Sequence, residues 1–333
     1  MNLAFIATGF IAHNHAQELV KMPDVDIVGV VDVNEEVGKA FAEQYGSRYY
    51  KTVDELFENE KVDMVNICLP THLHKEYVIK CAEKGAHVLC EKPFTFTVED
   101  CHAMEDACKK AGVRFMIAQP LRFWPEYIYL KKVINGGEIG DIELCHLTRM
   151  AAFPRWSKFY DTPEHSGGGV YDMHLHDIDF ACHLFGDVEK VYSIGYKNSK
   201  GAWNNVVTSL TFTNGVSVCV TDCEQMSDNY PFKMNLRCVG TKGTVEFDYS
   251  AGKLLRSEPV TSLIKYMDGA EEEENVAIPE GNAYYNENRY FIDKVNSGEE
   301  FDIVPIWDST RSIGVIQAIV RSLETGEIVY MNK

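Results

Sequence analysis

Three short stretches carry side chains whose types and spacing suit chemistry. Glu91-Lys92-Pro93 closes the apolar run "AHVLCEKP" (86–93). A lysine at the carboxyl end of a buried strand faces the crevice where open α/β sheets take ligands, and the following proline biases it toward extended backbone. Taken alone, the tripeptide reads as a surface strand end with a local Glu-Lys pair. The second stretch is "SGGGVYDMHLHDIDF" (166–180). On a helix running from about Val170 to Phe185, Asp172 and His176 share a face at i and i+4, with Asp179 three residues farther on. An imidazole steered by a carboxylate is a suitable proton acceptor near neutral pH. A helix-surface ion pair would explain the two side chains equally well, but not the three glycines beside them, which allow the backbone to approach a ligand closely. In the third stretch, the loop "RMAAFPRWSKFYD" (149–161), Arg149, Arg155, Trp156 and Lys158 could line a pocket for a hydroxylated ligand, with Trp156 stacking on a ring. The same aromatic loop reads equally as a domain interface.

A fourth feature concerns a nucleotide. "NLAFIATGFIAHNHAQELV" (2–20) starts as a buried strand and ends as an amphipathic helix. The A-T-G-F-I-A between them stands where a dinucleotide loop reads G-x-G-x-x-G. Gly9 holds the middle position, where the absence of a side chain lets a pyrophosphate reach the backbone, and Ala7 and Ala12 hold the flanking ones. Asp32, at the end of the second strand, suits an acid that accepts ribose hydroxyls and repels a 2'-phosphate, so NAD is expected over NADP. H-x-H occurs three times (His13/His15, His72/His74, His174/His176). Residues two apart on a helix point to different sides, and a metal needs three or four converging ligands. No metal site is expected, and His174, pointing away from Asp172 and His176, takes a core or surface role.

These residues must be positioned by elements legible in the hydrophobic pattern. Over the first 119 residues, unbroken apolar runs (2–8, 26–32, 62–70, 86–93, 113–119) alternate with helical patterns near 11–22, 34–45, 72–84 and 97–111. That grammar indicates a doubly wound parallel α/β sheet covered on both faces. After "LRFWPEY" it changes: a helix (126–135), a strand (141–150), the loop and helix above, strands from 188 to 267 joined by "TNG" and "GTKG", then helices at 284–297 and 306–324. The strands from 188 to 267, linked by turn signals, suggest an antiparallel sheet in the second part. The expected boundary separates 1–121 from 122–333.

Composition sets the limits. A chain of 333 residues suits two domains. A net charge of -18 with no basic patch argues against nucleic acid and anionic membrane as partners, while backbone amides at a helix start still hold a nucleotide. The ten cysteines contain no C-x-x-C pair and read as small buried hydrophobes in a reducing cytoplasm. No apolar run approaches the roughly 18 residues of a membrane span, and no signal peptide pattern is present.

Together Gly9, Asp32, "ICLPTHLH", "EKP", "LRFWPEY" and "GGGVYDMHLHDID" resemble the glucose-fructose oxidoreductase, inositol dehydrogenase and MocA (Gfo/Idh/MocA) family over nearly the whole chain. The resemblance implies a Rossmann domain followed by an α/β domain with an open, largely antiparallel sheet that often forms the oligomer interface, hence a homodimer or homotetramer. It makes Lys92, Asp172 and His176 catalytic, with His176 as acid/base. It places Thr8, Gly9, Phe10, Ile11, Asp32, Leu69, Pro70, Thr71, His74, Glu91, Lys92 and Arg122 at the cofactor. Substrate contacts are expected from Lys92, Arg149, Arg155, Trp156, Asp172 and His176. The chain departs from the family at Ala7 and Ala12, and at His174, where glycine is usual. The implied activity is NAD-dependent hydride transfer with a secondary alcohol of a sugar, cyclitol or glycoside. One rival keeps NAD bound and uses transient oxidation for glycoside cleavage or epimerisation. A rival of another class is a non-catalytic sugar- or NAD-sensing regulator.

Overall fold

The computed structural model describes residues 1–155, 158–252, 259–278 and 280–331, and the chain divides into two units. The first unit alternates β1 (Asn2–Ile6), α1 (Phe10–Leu19), β2 (Asp26–Val31), α2 (Glu35–Tyr45), β3 (Arg48–Tyr50), α3 (Val53–Asn59), β4 (Met64–Ile67), α4 (Thr71–Glu83), β5 (His87–Cys90), α5 (Val98–Ala111) and β6 (Phe115–Ile117). Its six strands lie in the order β3-β2-β1-β4-β5-β6, every neighbouring pair parallel. All residues of β4 and β6 are buried, as a sheet covered on both faces requires. The order reverses between β1 and β4, the switch point at which such sheets bind ligands. The sequence pattern did not show β3 and α3, which are too short to display a period.

Helix starts in this unit fall into two kinds. Asn34, Thr52 and Thr97 cap α2, α3 and α5 by accepting backbone N–H groups through their side chains. Gly9 and Pro70, which precede α1 and α4, make no side-chain cap. The uncapped starts follow β1 and β4, the two strands flanking the switch point.

The second unit contains α6 (Pro125–Asn135), β7 (Ile142–Ala152), α7 (Pro163–Ser166), α8 (Gly169–Asp172), α9 (His174–Phe185), β8 (Val188–Lys197), β9 (Trp203–Phe212), β10 (Ser217–Met226), β11 (Phe232–Gly240), β12 (Gly243–Ala251), β13 (Val260–Met267) and β14 (Glu274–Asn275). After α10 (Ala283–Ser297), which belongs to the first unit, come α11 (Ile306–Thr325) and β15 (Val329–Tyr330). The sheet order is β14-β13-β12-β11-β7-β10-β9-β8-β15. It is antiparallel except where β10 runs parallel to β7. Alternate residues of β9 and β10 are buried, so one face packs inward.

Two expectations change. The helix expected from about Val170 to Phe185 is broken at Met173 into α8 and α9, and His176 N donates to Met173 O, three residues back, at 3.2 Å. The break coincides with His174 turning into the sheet, where its ring meets Asp222 and Thr208. The boundary is also not a single cut: residues 1–123 are joined by 281–310. Phe291, Ile292, Phe301 and Val304 complete one core with Leu3, Phe5, Met64, Leu89 and Met116, and periodicity alone carries no information about which sheet a distant helix covers.

That returning segment makes the first unit discontinuous in sequence. Phe291→Ala should lower stability by about 3–5 kcal/mol, measured by chemical denaturation, and a chain ending at residue 123 should fail to give a cooperative thermal transition. A cooperative 1–123 fragment would show that the segment is dispensable.

Candidate active-site elements

The loop between β1 and α1 keeps a glycine backbone without the first glycine. Ala7 has φ of 74°, the left-handed region that costs an L side chain about 1–2 kcal/mol, and its N–H donates to Val31 O at 2.8 Å. Thr8 donates to Asp32 Oδ2 through its backbone N at 2.9 Å and through Oγ1 at 2.6 Å, while Asn34 N donates to Asp32 Oδ1 at 2.8 Å. A carboxylate offers about four lone-pair positions, so one remains on Oδ1 for a ligand hydroxyl. A Cβ added at Gly9 would meet nothing within 4 Å. Phe10 is exposed and Ala12 is fully buried. An uncapped helix start with open space at Gly9 fits a phosphate group, and a fixed carboxylate beside it fits a ribose.

Around this start, several residues expected at the cofactor turn their side chains inward. His74, in α4 and 1% exposed, donates from Nε2 to Leu69 O at 2.6 Å. It therefore secures the Leu69–Thr71 loop rather than offering its ring to a ligand, and burial lowers its pKa. Arg122 has a side chain with no exposure and donates to Ile303 O at 2.8 Å and Asp308 Oδ2 at 2.6 Å. Its expected cofactor contact is replaced by clamping the returning segment. Glu91, also buried, accepts from His15 Nε2 at 2.8 Å and from Lys92 N at 3.0 Å, so its carboxylate is engaged within the unit. Lys92 itself is half-buried just beyond β5.

In the second unit Asp172 ends α8 and His176 lies in the first turn of α9. The Tyr160 hydroxyl bonds to Asp172, and burial together with the Asp172 and Glu224 carboxylates pushes its pKa far up, so the phenol stays protonated. Tyr160 and Glu224 escaped the sequence reading. Glu224 had a visible signal, because it continues the inward alternation Val218, Val220, Asp222 along β10, where apolar residues belong. The glycines serve packing. A Cβ at Gly169 would come within 3.1 Å of both Asn204 Cα and Glu224 Oε2, and Gly168, at φ of 73°, would press on Ala202. The close approach expected toward a ligand is made to β9.

Arg149 is likewise not a pocket residue. Only 3% exposed, it forms a bidentate pair with Asp177, both N–O distances being 2.9 Å; the expected substrate contact gives way to a core ion pair. Asp222 lies beside Asp177 and bonds His174 Nδ1, whose Nε2 meets Thr208 Oγ1 at 2.8 Å. Burial pushes the Asp177 and Asp222 carboxyls up to about 7 despite Arg149, and holds His174 down at about 4. Arg155 is exposed and pairs with Asp228 at 3.2 Å across the surface. Trp156 and the side chain of Lys158 lie outside the described residues. Among the described residues no group of three His, Cys, Asp or Glu is placed to hold a metal.

Comparison with known proteins decides the relationship. The family model for "Oxidoreductase family, NAD-binding Rossmann fold" matches residues 1–119, and the GFO/IDH/MocA C-terminal domain model matches 127–246. D-apiose dehydrogenase of Paraburkholderia graminis is 30% identical over 269 residues, covering 80% of this chain and 70% of that protein. The chain belongs to the GFO/IDH/MocA family. Within the family, 2,7-anhydro-N-acetylneuraminate hydratase of Escherichia coli is 34% identical over 201 residues, 59% of this chain and 52% of the relative. The chain spans about half the length of several curated relatives that it matches. Aldose-aldose oxidoreductase of Caulobacter crescentus shares the fold, with a TM-score of 0.87, 23% identity and 99% of each chain covered.

Two measurements check this geometry. Ala7→Gly relieves the left-handed alanine but frees the unfolded chain by about 0.4–1 kcal/mol; the net expectation is a gain of up to about 1 kcal/mol, and a clear loss in the thermal midpoint would contradict the strain. The second test concerns pH. The adjacent Asp177 and Asp222 carboxyls hold a proton between them in the folded state, beside Arg149, that the unfolded chain releases above its ordinary carboxylate pKa, so this pair loses stability as pH rises toward 7. His174, depressed to about 4, lacks a proton that the unfolded chain binds below about 6.5, so it gains stability over much the same window. His174→Gln should remove the gain and expose the loss, making the variant's stability fall relative to wild type by up to about 1.4 kcal/mol per pH unit between pH 5 and 6.5. Parallel pH profiles would refute the assigned protonation states.

Proposed function

We propose that the protein is an NAD-dependent oxidoreductase acting on a secondary alcohol of a sugar, cyclitol or glycoside. The observation that carries this reading is the uncapped start of α1, open at Gly9, with Asp32 fixed beside it by Thr8 and Asn34. Thr8 to Ile11 would hold the pyrophosphate through backbone amides, and Leu69 to Thr71 would border the nicotinamide half. Asp32 would accept a ribose hydroxyl on its remaining lone pair and repel a 2'-phosphate. When bound, the nicotinamide supplies the hydride acceptor. His176 would take the proton from the substrate hydroxyl with Asp172 orienting the imidazole, and the Lys92 ammonium would stabilise negative charge developing on the substrate. Tyr160, kept protonated, donates to Asp172 and fixes its direction.

The setting follows from the rest of the chain. Ten free cysteines support a reducing cytoplasm, and among the described residues no helix is long and apolar enough to cross a membrane. Leu144, Tyr192, Ile194 and Tyr196 are exposed, and the strand register through Ser217, Thr211 and Lys190 puts them on one face of the sheet. Such an apolar face supports association of copies into a homodimer or homotetramer. A second reading, in which NAD stays bound and oxidation is transient, draws support from the hydratase name of the Escherichia coli relative.

A screen of NAD reduction over inositols, aldoses, uronates and glycosides tests the proposal: net NADH identifies a dehydrogenase, and product without net NADH favours the second reading. Calorimetry should show NAD binding more tightly than NADP, and equal affinities would remove Asp32 from the selectivity argument. Lys92→Ala and His176→Ala should each lose about 10²- to 10⁴-fold in kcat with NAD affinity kept; near wild-type turnover in either would exclude that residue from the chemistry.

A further inference from the structure

One buried cluster of the first unit is not used by the proposed chemistry. His15 of α1 and Glu91 are 1% and 5% exposed, and His15 Nε2 lies 2.8 Å from Glu91 Oε1. Asn288 of α10 stands behind the ring. Its Oδ1 accepts from Asn66 Nδ2 at 3.0 Å, so its Nδ2 faces His15 Nδ1 at 2.7 Å and Tyr284 O at 2.7 Å. With Nδ1 accepting, the imidazole proton sits on Nε2 and is donated to Glu91. The other Glu91 oxygen accepts from Lys92 N at 3.0 Å, and the Tyr284 ring packs edge-on against His15 at 5.1 Å. Burial opposes charge on several side chains around Glu91. Burial raises the Cys68 thiol, the Tyr284 phenol and the Glu287 carboxyl, each further opposed by Glu91, and burial lowers His74.

We propose that His15 and Glu91 are positioning residues that tie the phosphate-facing start of α1 to Lys92 through one run of buried hydrogen bonds, Asn66–Asn288–His15–Glu91–Lys92. The inference rests on the reading of Lys92 as a catalytic residue. Its physical basis is that the run joins the two places that must hold register. One is the helix whose first amides face the phosphates, and the other is the backbone amide of the lysine itself. Helix docking alone would not need it, since a matched apolar pair in place of two buried polar partners is often close to neutral for stability. A polar link with a directional donor fixes angle as well as distance, and a displacement of about 1 Å at a reacting group costs on the order of 100-fold in rate.

The test compares His15→Leu, His15→Gln, the double variant His15→Leu/Glu91→Met, and His15→Leu combined with Lys92→Ala. Each is measured for thermal midpoint, NAD affinity by calorimetry, kcat and KM with the substrate found by the screen, and the pH profile of kcat. His15→Leu should lose about 10- to 100-fold in kcat with KM changed far less, should bind NAD more weakly, and should shift the pH profile because Glu91 loses the His15 donor and keeps the Lys92 amide. His15→Gln, which still offers an N–H, should recover most of each. The double variant should regain the thermal midpoint without regaining kcat. In the Lys92→Ala background, His15→Leu should cost little further rate. A double variant with wild-type kcat and NAD affinity, or a His15→Leu loss fully additive with Lys92→Ala, would overturn the proposal. Those results with an inactive Lys92→Ala leave the functional reading standing. Lys92→Ala with full turnover would overturn that reading and this one together.

Discussion

The bidentate pair between Arg149 and Asp177 illustrates a constraint that governs the whole molecule: a charge taken out of water must find its partner inside. The same demand draws Arg122 to Asp308 and Glu91 to His15. Each of these residues looked from the sequence like a group offered to a ligand, and each is consumed by the fold. Within the first unit, the groups not consumed in this way include the backbone amides at the start of α1 and one lone pair of Asp32. Sparse sites of this kind discriminate by geometry, because each donor is fixed by neighbours that cannot relax independently.

Most of the fold was legible because its signals are local and repeated. Unbroken apolar runs such as "LAFI" in β1 occur only where both faces of a strand are covered, and alternation along β9 and β10 reports one-sided burial. The boundary of the first unit was less legible. α10 carries an ordinary amphipathic pattern, and nothing in its own residues says that Phe291 and Ile292 fill a core begun almost 300 residues earlier. The break at Met173 was hidden for a related reason. Helical spacing placed Asp172 and His176 on one face, but a buried bond from His174 to Asp222 on β10 outweighs one helical hydrogen bond, and β10 is distant in sequence.

The site was legible at the level of motif and less so at the level of role. Gly9, Asp32 and Lys92 follow from residue type at strand ends, and Asp172 and His176 from helical spacing beside three glycines. Arg149 is expected at a ligand from its aromatic loop, and His74 and Glu91 from the family resemblance, yet all three are buried, because a motif gives position along the chain and no information about burial. Asp222 and Glu224 show what information was available: acids at inward positions of an alternating strand violate the apolar pattern, and such violations mark either a paired charge or a site. Here Asp222 marks a paired charge in the Arg149 cluster, and Glu224 stands by Tyr160.

The phosphate loop shows how a degraded motif keeps its geometry. The first glycine of such a loop exists to allow a left-handed backbone, and Ala7 adopts that backbone anyway, at φ of 74°. The strain is held by bonds on both sides: Ala7 N to Val31 O, and the two hydrogen bonds from Thr8 to Asp32. Thr8 thereby does more than fill a variable position. It fixes the Asp32 carboxylate and stabilises the turn that leaves Gly9 facing open space. In a glycine loop these tasks are separate, since the turn needs no help from the acid. In this chain they are coupled, so the conformation of the loop and the placement of Asp32 depend on each other. A ligand engaging Asp32 would therefore act on the same bonds that hold Ala7 in its strained conformation, and on the proposed reading adenosine recognition and phosphate recognition would be one cooperative event.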